Sequence, residues 1–263
     1  MSTITVRASS LSGVVDCPRR YVAKAARKSI EESGFELLPS LQNAGSVVGT
    51  AVHNAAHAVV AGGTVHDAIQ AAVCEVDEAA RGIVWTSDVK NRDAAIEKAR
   101  ILAGAVAEAA ARRYAPDYVE VELAGQLGGV TLTGHIDYTE SAIGRISDLK
   151  TGKKGDFHAQ LGAYALLAAA NGITKARTLE IMHGRVVDGR GVVDVYSYDV
   201  RASVGEAKAK AALAGELLKR WYDLNDPEAL PCNTMSFLCG PNWCPAYGTT
   251  FCAISNHLNK ESE

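Results

Sequence analysis

The sequence predicts an α/β domain in which a mixed central sheet is flanked by helices. Three observations carry this. Residues 118–123, 130–138 and 146–151 alternate apolar and polar side chains with the period of two expected of strands that bury one face. Before and after them run Ala- and Leu-rich stretches whose charged residues recur in helical register. A chain of 263 residues is long enough to close one sizeable core around such elements.

Taken in order, residues 10–30 read as helical from Ser10 to Ile30, with Cys17 followed by Pro18 and a basic run at Arg19, Arg20, Lys24, Arg27 and Lys28. That run fits a solvated helix face and a nucleic-acid-contacting patch equally well. From Gly45 an Ala/Val-rich helix extends to the Gly62-Gly63 pair, and its His53 and His57, four residues apart, share a face. Thr64 and Asp67 have the spacing of a helix cap and open a helix to about Arg81, in which Cys74 reads as a small buried hydrophobe. A further helix runs from near Ser87 to Tyr114. Residues from about 45 to 115 are thus expected to form a helical insertion ahead of the sheet.

Pro116 ends the last of these helices and the first strand follows, where Glu120 and Glu122 fit an exposed strand face and a place beside the site equally well, so neither is assigned a role. The strands over residues 130–138 and 146–151 are joined by a turn at Ser141 to Gly144. After a basic turn, Thr151 to Gly155, a helix from Phe157 to about Asn171 closes at Gly172 and carries Gln160 and Tyr164 on one face. Arg177 to Val187 and Val192 to Tyr198 read as a hairpin, and Ser203 to Tyr222 as a helix. The sheet core is expected over about 116–200 and a cysteine-rich segment over 230–256, all within one domain of 1–263.

The net charge of −3 gives no global electrostatic sign of a nucleic-acid partner, which leaves that role to local patches. No stretch approaches the roughly 20 apolar residues of a membrane helix, and MSTITVRASS lacks an apolar signal core. The expectation is a cytoplasmic protein with no membrane partner. In that compartment Cys17, Cys232, Cys239, Cys244 and Cys252 argue for a metal group rather than disulfides, and their spacing suits an iron–sulfur cluster or a zinc site.

The chemistry is concentrated in residues 130–154. If the two strands there form a hairpin centred between Ala142 and Ile143, Asp137 lies across from Asp148, and Lys150 projects on the Asp148 face. Two opposed carboxylates repel unless a cation lies between them. Hard oxygen ligands suit Mg²⁺ or Mn²⁺, and a neighbouring lysine can hold a water or offset phosphate charge, which is phosphodiester hydrolysis in outline.

Gly134-His135-Ile136-Asp137, then Asp148-Leu149-Lys150, then Gln160 and Tyr164 resemble the ordered motifs of the PD-(D/E)xK nuclease superfamily. Gly49-Thr50-Ala51-Val52-His53 resembles the G-x-x-x-H element of its RecB-type branch, which includes phage and CRISPR-associated exonucleases carrying an iron–sulfur cluster. The resemblance implies a restriction-endonuclease-like core and a metal-dependent DNA nuclease, exonucleolytic, working in DNA processing or recombination. It implies that His53, Asp137, Asp148 and the Leu149 carbonyl hold Mg²⁺ or Mn²⁺, that Lys150 positions the attacking water, and that Gln160 and Tyr164 orient the strand. DNA is the implied partner, together with a recombination or single-strand-binding protein.

The resemblance further implies that Cys17, Cys239, Cys244 and Cys252 hold a [4Fe–4S] cluster joining the two chain ends, with zinc the less favoured occupant. The spacing of Cys239 and Cys244 departs from the commonest pattern, so Cys232 is a rival ligand. Two other readings stand beside this one: a non-catalytic DNA-binding or recombination-partner module on the same fold, and a zinc-stabilised protein with no nucleic-acid role.

Overall fold

The computed structural model describes residues 4–40 and 42–252. It begins with a short strand, β1 (Thr5–Arg7), and a 3-10 turn (Ala8–Gly13). Two short helices follow, α1 (Pro18–Ala25) and α2 (Arg27–Glu32). The continuous helical region expected here is therefore broken. Pro18 starts α1 at a position where its missing N–H costs nothing, and Ala26 leaves helical geometry between the two helices. The strand β1 has no counterpart in the sequence reading, since three residues are too few to show a period.

Three helices come next: α3 (Ala44–Val60), α4 (Val65–Ala79) and α5 (Arg92–Arg113). Each is capped at its start by a side chain, Asn43, Thr64 or Asn91, that accepts a hydrogen bond from a first-turn N–H. Cys74 proves to be exposed rather than buried. The buried seam of α4 is Ala68, Ala72 and Val76, at intervals of four, and Cys74 lies off that seam.

The sheet strands are β2 (Tyr118–Leu127), β3 (Val130–Glu140), β4 (Arg145–Lys150), β5 (Thr178–Val187) and β6 (Arg190–Tyr198). Between β4 and β5 lies α6 (His158–Ala170), and α7 (Val200–Leu224) follows β6. The last helix starts earlier than its apolar pattern suggests, because Asp199 caps it through Ala202 N–H at 2.6 Å. Among the described residues no helix is long and apolar enough to cross a membrane.

The sheet is mixed, in the order β1-β3-β4-β5-β6, with β2 on the other edge of β3. One layer buries Leu132, Ile136, Ile146, Leu161, Leu167 and Trp221 between the sheet and α6, α7 and the N-terminal segment. The other buries Tyr138, Leu149 and Met182 beneath α3, α4 and α5.

Two irregularities in β3 create the functional geometry. On one edge β1 pairs with residues 131–133 and β4 with residues 138–140, so residues 134–137 form a notch between two partners. On the other edge the ladder runs from Val119↔Tyr138 to Val121↔Ile136 without a Glu120–Asp137 rung. Glu120 has φ of 52°, the left-handed region that a non-glycine residue enters rarely. Across that point the faces exchange: Ile136 faces the α6 layer, whereas Tyr138 faces the α3–α5 layer. The simple alternation expected for this strand thus fails at Asp137.

Candidate active site in a notch of the sheet

Asp137 and Asp148 are brought together as the hairpin register requires. The observed pairs Tyr138↔Ser147, Thr139↔Ile146 and Glu140↔Arg145 are symmetric about the point between Ala142 and Ile143. Just past the last pair, the Asp137 carboxylate takes over from the backbone. Its Oδ2 accepts a hydrogen bond from Leu149 N–H at 2.6 Å. Leu149 therefore touches the site through its amide, and its carbonyl remains a proposed ligand.

Asp148 is fixed from the other side. Gln160 Nε2 donates to Asp148 Oδ1 at 3.1 Å and to Tyr164 Oη at 2.7 Å, so the two α6 residues reach the carboxylate as a unit. Lys150 forms an ion pair with Asp148 Oδ2, and its Nζ lies 5.5 Å from the centre of the Phe157 ring. Both carboxylates are buried, Asp137 at 5% exposure and Asp148 at 2%, while the Lys150 side chain is partly open to solvent. Gly134 makes this approach feasible. A Cβ added there would come within 2.8 Å of Tyr164 Cε1, so any side chain would push Tyr164 off the strand.

From the opposite layer α3 delivers two histidines. His53 Nδ1 is 3.6 Å from Asp137 Oδ2, and His57 Nε2 is 3.9 Å from Asp137 Oδ1. One potential ligand atom from each of His53, His57 and Asp137 lies within 4.8 Å of the others. The His57 Nε2 atom is buried and has no hydrogen-bond partner among the described residues, since 3.9 Å is too long for one. Its Nδ1 lies 3.3 Å from Glu120 Oε1. The sequence reading gave His57 little weight and left Glu120 out; the left-handed backbone that aims Glu120 at His57 leaves no mark in a period-two pattern.

The electrostatics separate the two carboxylates. Burial pushes Asp148 up to about 6, reinforced by the charge of Asp137 and opposed by Lys150. For Asp137 burial acts in the same direction, but contact with His53 and the Leu149 N–H outweighs it and holds the group below the usual carboxylate range. Burial lowers His53 as well, yet Asp137 and Asp148 raise it overall. In His57 burial wins and its pKa falls. Tyr164 is driven upward, first by burial and then by Asp148, so its phenol keeps its proton far above neutrality. Two buried carboxylates and two imidazoles around one notch are a donor set suited to a divalent ion, with the Lys150 ammonium beside them.

At the other end of the molecule Cys17, Cys232, Cys239, Cys244 and Cys252 line one small cavity together with Arg19 and Arg20. Cys232 Sγ and Cys252 Sγ are 3.7 Å apart, but among the described residues no three of the sulfurs lie within 4.8 Å of one another. A single tetrahedral zinc would require every sulfur pair at about 3.8 Å. Burial raises the Cys232 thiol to about 12 and the Cys244 thiol to about 11, so both stay protonated without a bound cation. Cys232 is as much part of this cavity as Cys239, Cys244 and Cys252.

The family model of the PD-(D/E)XK nuclease superfamily matches residues 5–248, and the chain belongs to that superfamily. Among solved structures, a candidate exonuclease from Eubacterium rectale is similar in fold. It shows a TM-score of 0.60 at 11% identity, over 90% of this chain and 87% of its own. A second structure, SSO0001, matches at a TM-score of 0.35 and 14% identity over 81% of this chain and 78% of its own, too distant to inform the site. Comparison with curated proteins finds no match.

Proposed function

We propose that this protein is a divalent-metal-dependent deoxyribonuclease that works from DNA ends. The observation that carries the reading is the burial of Asp137 and Asp148 with Lys150 beside them at the break along one edge of β3. Two such carboxylates cost the fold desolvation and mutual repulsion, which a cation bound between them would offset, and a lysine beside that cation suits a phosphate. The Eubacterium rectale structure is described as that of a candidate exonuclease, which accords with this reading.

In this reading His53, Asp137, Asp148 and the Leu149 carbonyl hold Mg²⁺ or Mn²⁺, with His57 as a further nitrogen within reach. The bound ion supplies Lewis acidity at the phosphate and lowers the pKa of water. Lys150, partly open to solvent and paired with Asp148, holds and orients the attacking water. Gln160 keeps the Asp148 carboxylate from rotating. It also donates to Tyr164 Oη at 2.7 Å and so holds the phenol beside the Asp148 carboxylate. We assign the activity to DNA processing or recombination. Digestion of end-labelled single- and double-stranded DNA with Mg²⁺, Mn²⁺ or chelator tests the reading, and cleavage undiminished in chelator overturns it.

The thiol cavity is proposed to hold a [4Fe–4S] cluster on Cys17, Cys239, Cys244 and Cys252, with Cys232 the alternative to one of them. Soft thiolate donors spread more widely than one zinc ion allows support the choice. No step of the hydrolysis needs an electron, so the role is to join the chain ends. Iron and sulfide analysis on anaerobically purified protein is the test, and one zinc per chain without sulfide overturns the assignment.

A further inference from the structure

The basic run in the N-terminal segment divides into two kinds of residue. Arg19 pairs with Glu228, Arg20 with Asp16, Arg27 with Glu31 and Lys28 with Glu32. Lys24, on the exposed side of α1, and Arg7, at the end of β1, have no ion-pair partner among the described residues. Both line a groove of about 750 Å³, with Arg20 behind them. The remaining polar lining is hydroxyl-bearing: Thr5, Ser9, Ser10, Ser12 and Tyr21. No carboxylate lines the groove, although the chain carries a net charge of −3. The Tyr21 hydroxyl is buried on its wall without a well-formed hydrogen bond among the described residues.

The groove lies on the β1 side of the notch. Arg7 pairs with Thr133, the last β3 residue before the notch opens, and Asp137 is four residues further, about 13 Å along the strand. Ala8, next to Arg7, closes that side: its Cβ would lie 3.2 Å from a Cβ on Gly134. The opposite wall comes from the cysteine-rich loop through Leu238. That loop is held down by Ser236, whose Oγ donates to Asp16 Oδ2 at 2.7 Å and accepts from Arg20 at 3.2 Å. On either side of Ser236, Met235 and Phe237 stand out at 91% and 87% exposure.

We infer that this groove holds a single DNA strand on its way to the notch, with phosphates on Arg7, Lys24 and the hydroxyls and a base stacked on Phe237. The volume is that of a drug-sized ligand, roughly one or two nucleotides, which suits a single strand better than a duplex. Cations and hydroxyls for the backbone beside an exposed aromatic ring for a base are the elements of sequence-tolerant single-strand binding. The inference rests on the nuclease reading for the identity of its ligand.

Binding of a fluorescent oligothymidylate and of a blunt duplex of equal length, measured by anisotropy in chelator, tests it in the full-length protein. The wild type should prefer the single strand. Arg7→Ser with Lys24→Ser should weaken that binding roughly tenfold or more and flatten its salt dependence by about 1.4 in slope, for two phosphates lost. Phe237→Ala should weaken it roughly 5- to 100-fold with the slope kept. Hydrolysis of bis(p-nitrophenyl) phosphate, too small to reach the groove, should be unchanged in every variant. Equal or tighter binding of duplex, or variants that bind the single strand like wild type, overturns the inference. If the wild type binds the single strand as described yet cleaves no DNA with Mg²⁺ or Mn²⁺, the nuclease reading fails and the groove stands.

Discussion

The notch and the thiol cavity both gather residues from distant parts of the chain, but they are held in opposite ways. In the notch every acidic group already has a protein partner: Leu149 N–H for Asp137, Gln160 and Lys150 for Asp148. In the thiol cavity the frame is built and the sulfurs are not. Arg19 N–H donates to Pro231 O at 3.0 Å, and Asn233 Nδ2 to Asp16 O at 3.0 Å, whereas Cys232 Sγ and Cys252 Sγ stand 3.7 Å apart, unbonded. A site that must do chemistry is preorganised before its ligand arrives. A site that must join two chain ends can take its final form from the ligand itself.

This contrast is broken most directly at Asp148. Asp148→Asn should abolish cleavage while leaving the melting temperature of the metal-free protein at neutral pH unchanged or higher, because ionising Asp148 in the fold is unfavourable. A large drop in melting temperature would make the carboxylate structural and erase the distinction. Lys150→Ala is expected to lower the turnover rate by roughly 10²–10⁴ with much less effect on DNA affinity. Equal losses in rate and affinity would reduce Lys150 to a phosphate contact.

At the other region the signs reverse. Cys17→Ala should lose the bound metal group, lower solubility and melting temperature, and leave the rate per folded molecule near wild type. Wild-type metal content and melting temperature in that variant would remove Cys17 from the cavity's function. The smallest effect concerns pH. Between the ordinary carboxylate value near 4 and about 6, folded Asp148 keeps a proton that the unfolded chain has lost. The stability of the metal-free protein should therefore fall as pH rises through that window, and Asp148→Asn should flatten the fall. Denaturant titrations at pH 4.5, 5.5 and 6.5 measure this, and identical slopes for the two proteins would contradict it.

The sequence made the notch legible as far as regular geometry extends. The register that sets Asp137 across from Asp148 follows from a hairpin centre between Ala142 and Ile143, and period-two alternation locates both strands. Gln160 and Tyr164 follow from helical spacing. What was hidden depends on departures from a period. Glu120 enters the left-handed region, a backbone state that its residue type does not announce. His57 acquires its place only because α3 crosses above that point. The strand β1 is three residues long, and its pairing with β3 creates the notch without any local signature. Cys74 was misread because Cys is usually buried, while the Ala68, Ala72 and Val76 seam had already decided which face of α4 is covered.

Gly162 lies between Gln160 and Tyr164 on α6, where α7 passes so closely that a Cβ would fall 1.9 Å from Ser203 O. Any side chain at that crossing would drive the two helices apart and shift α6, which carries Gln160 and Tyr164. Trp221 lies 18 residues beyond Ser203, about 27 Å along the axis. Its ring centre is 5.3 Å from that of Phe251, the neighbour of Cys252. One helix thus forms part of the wall behind the notch at its start and packs, near its end, against the ring beside Cys252.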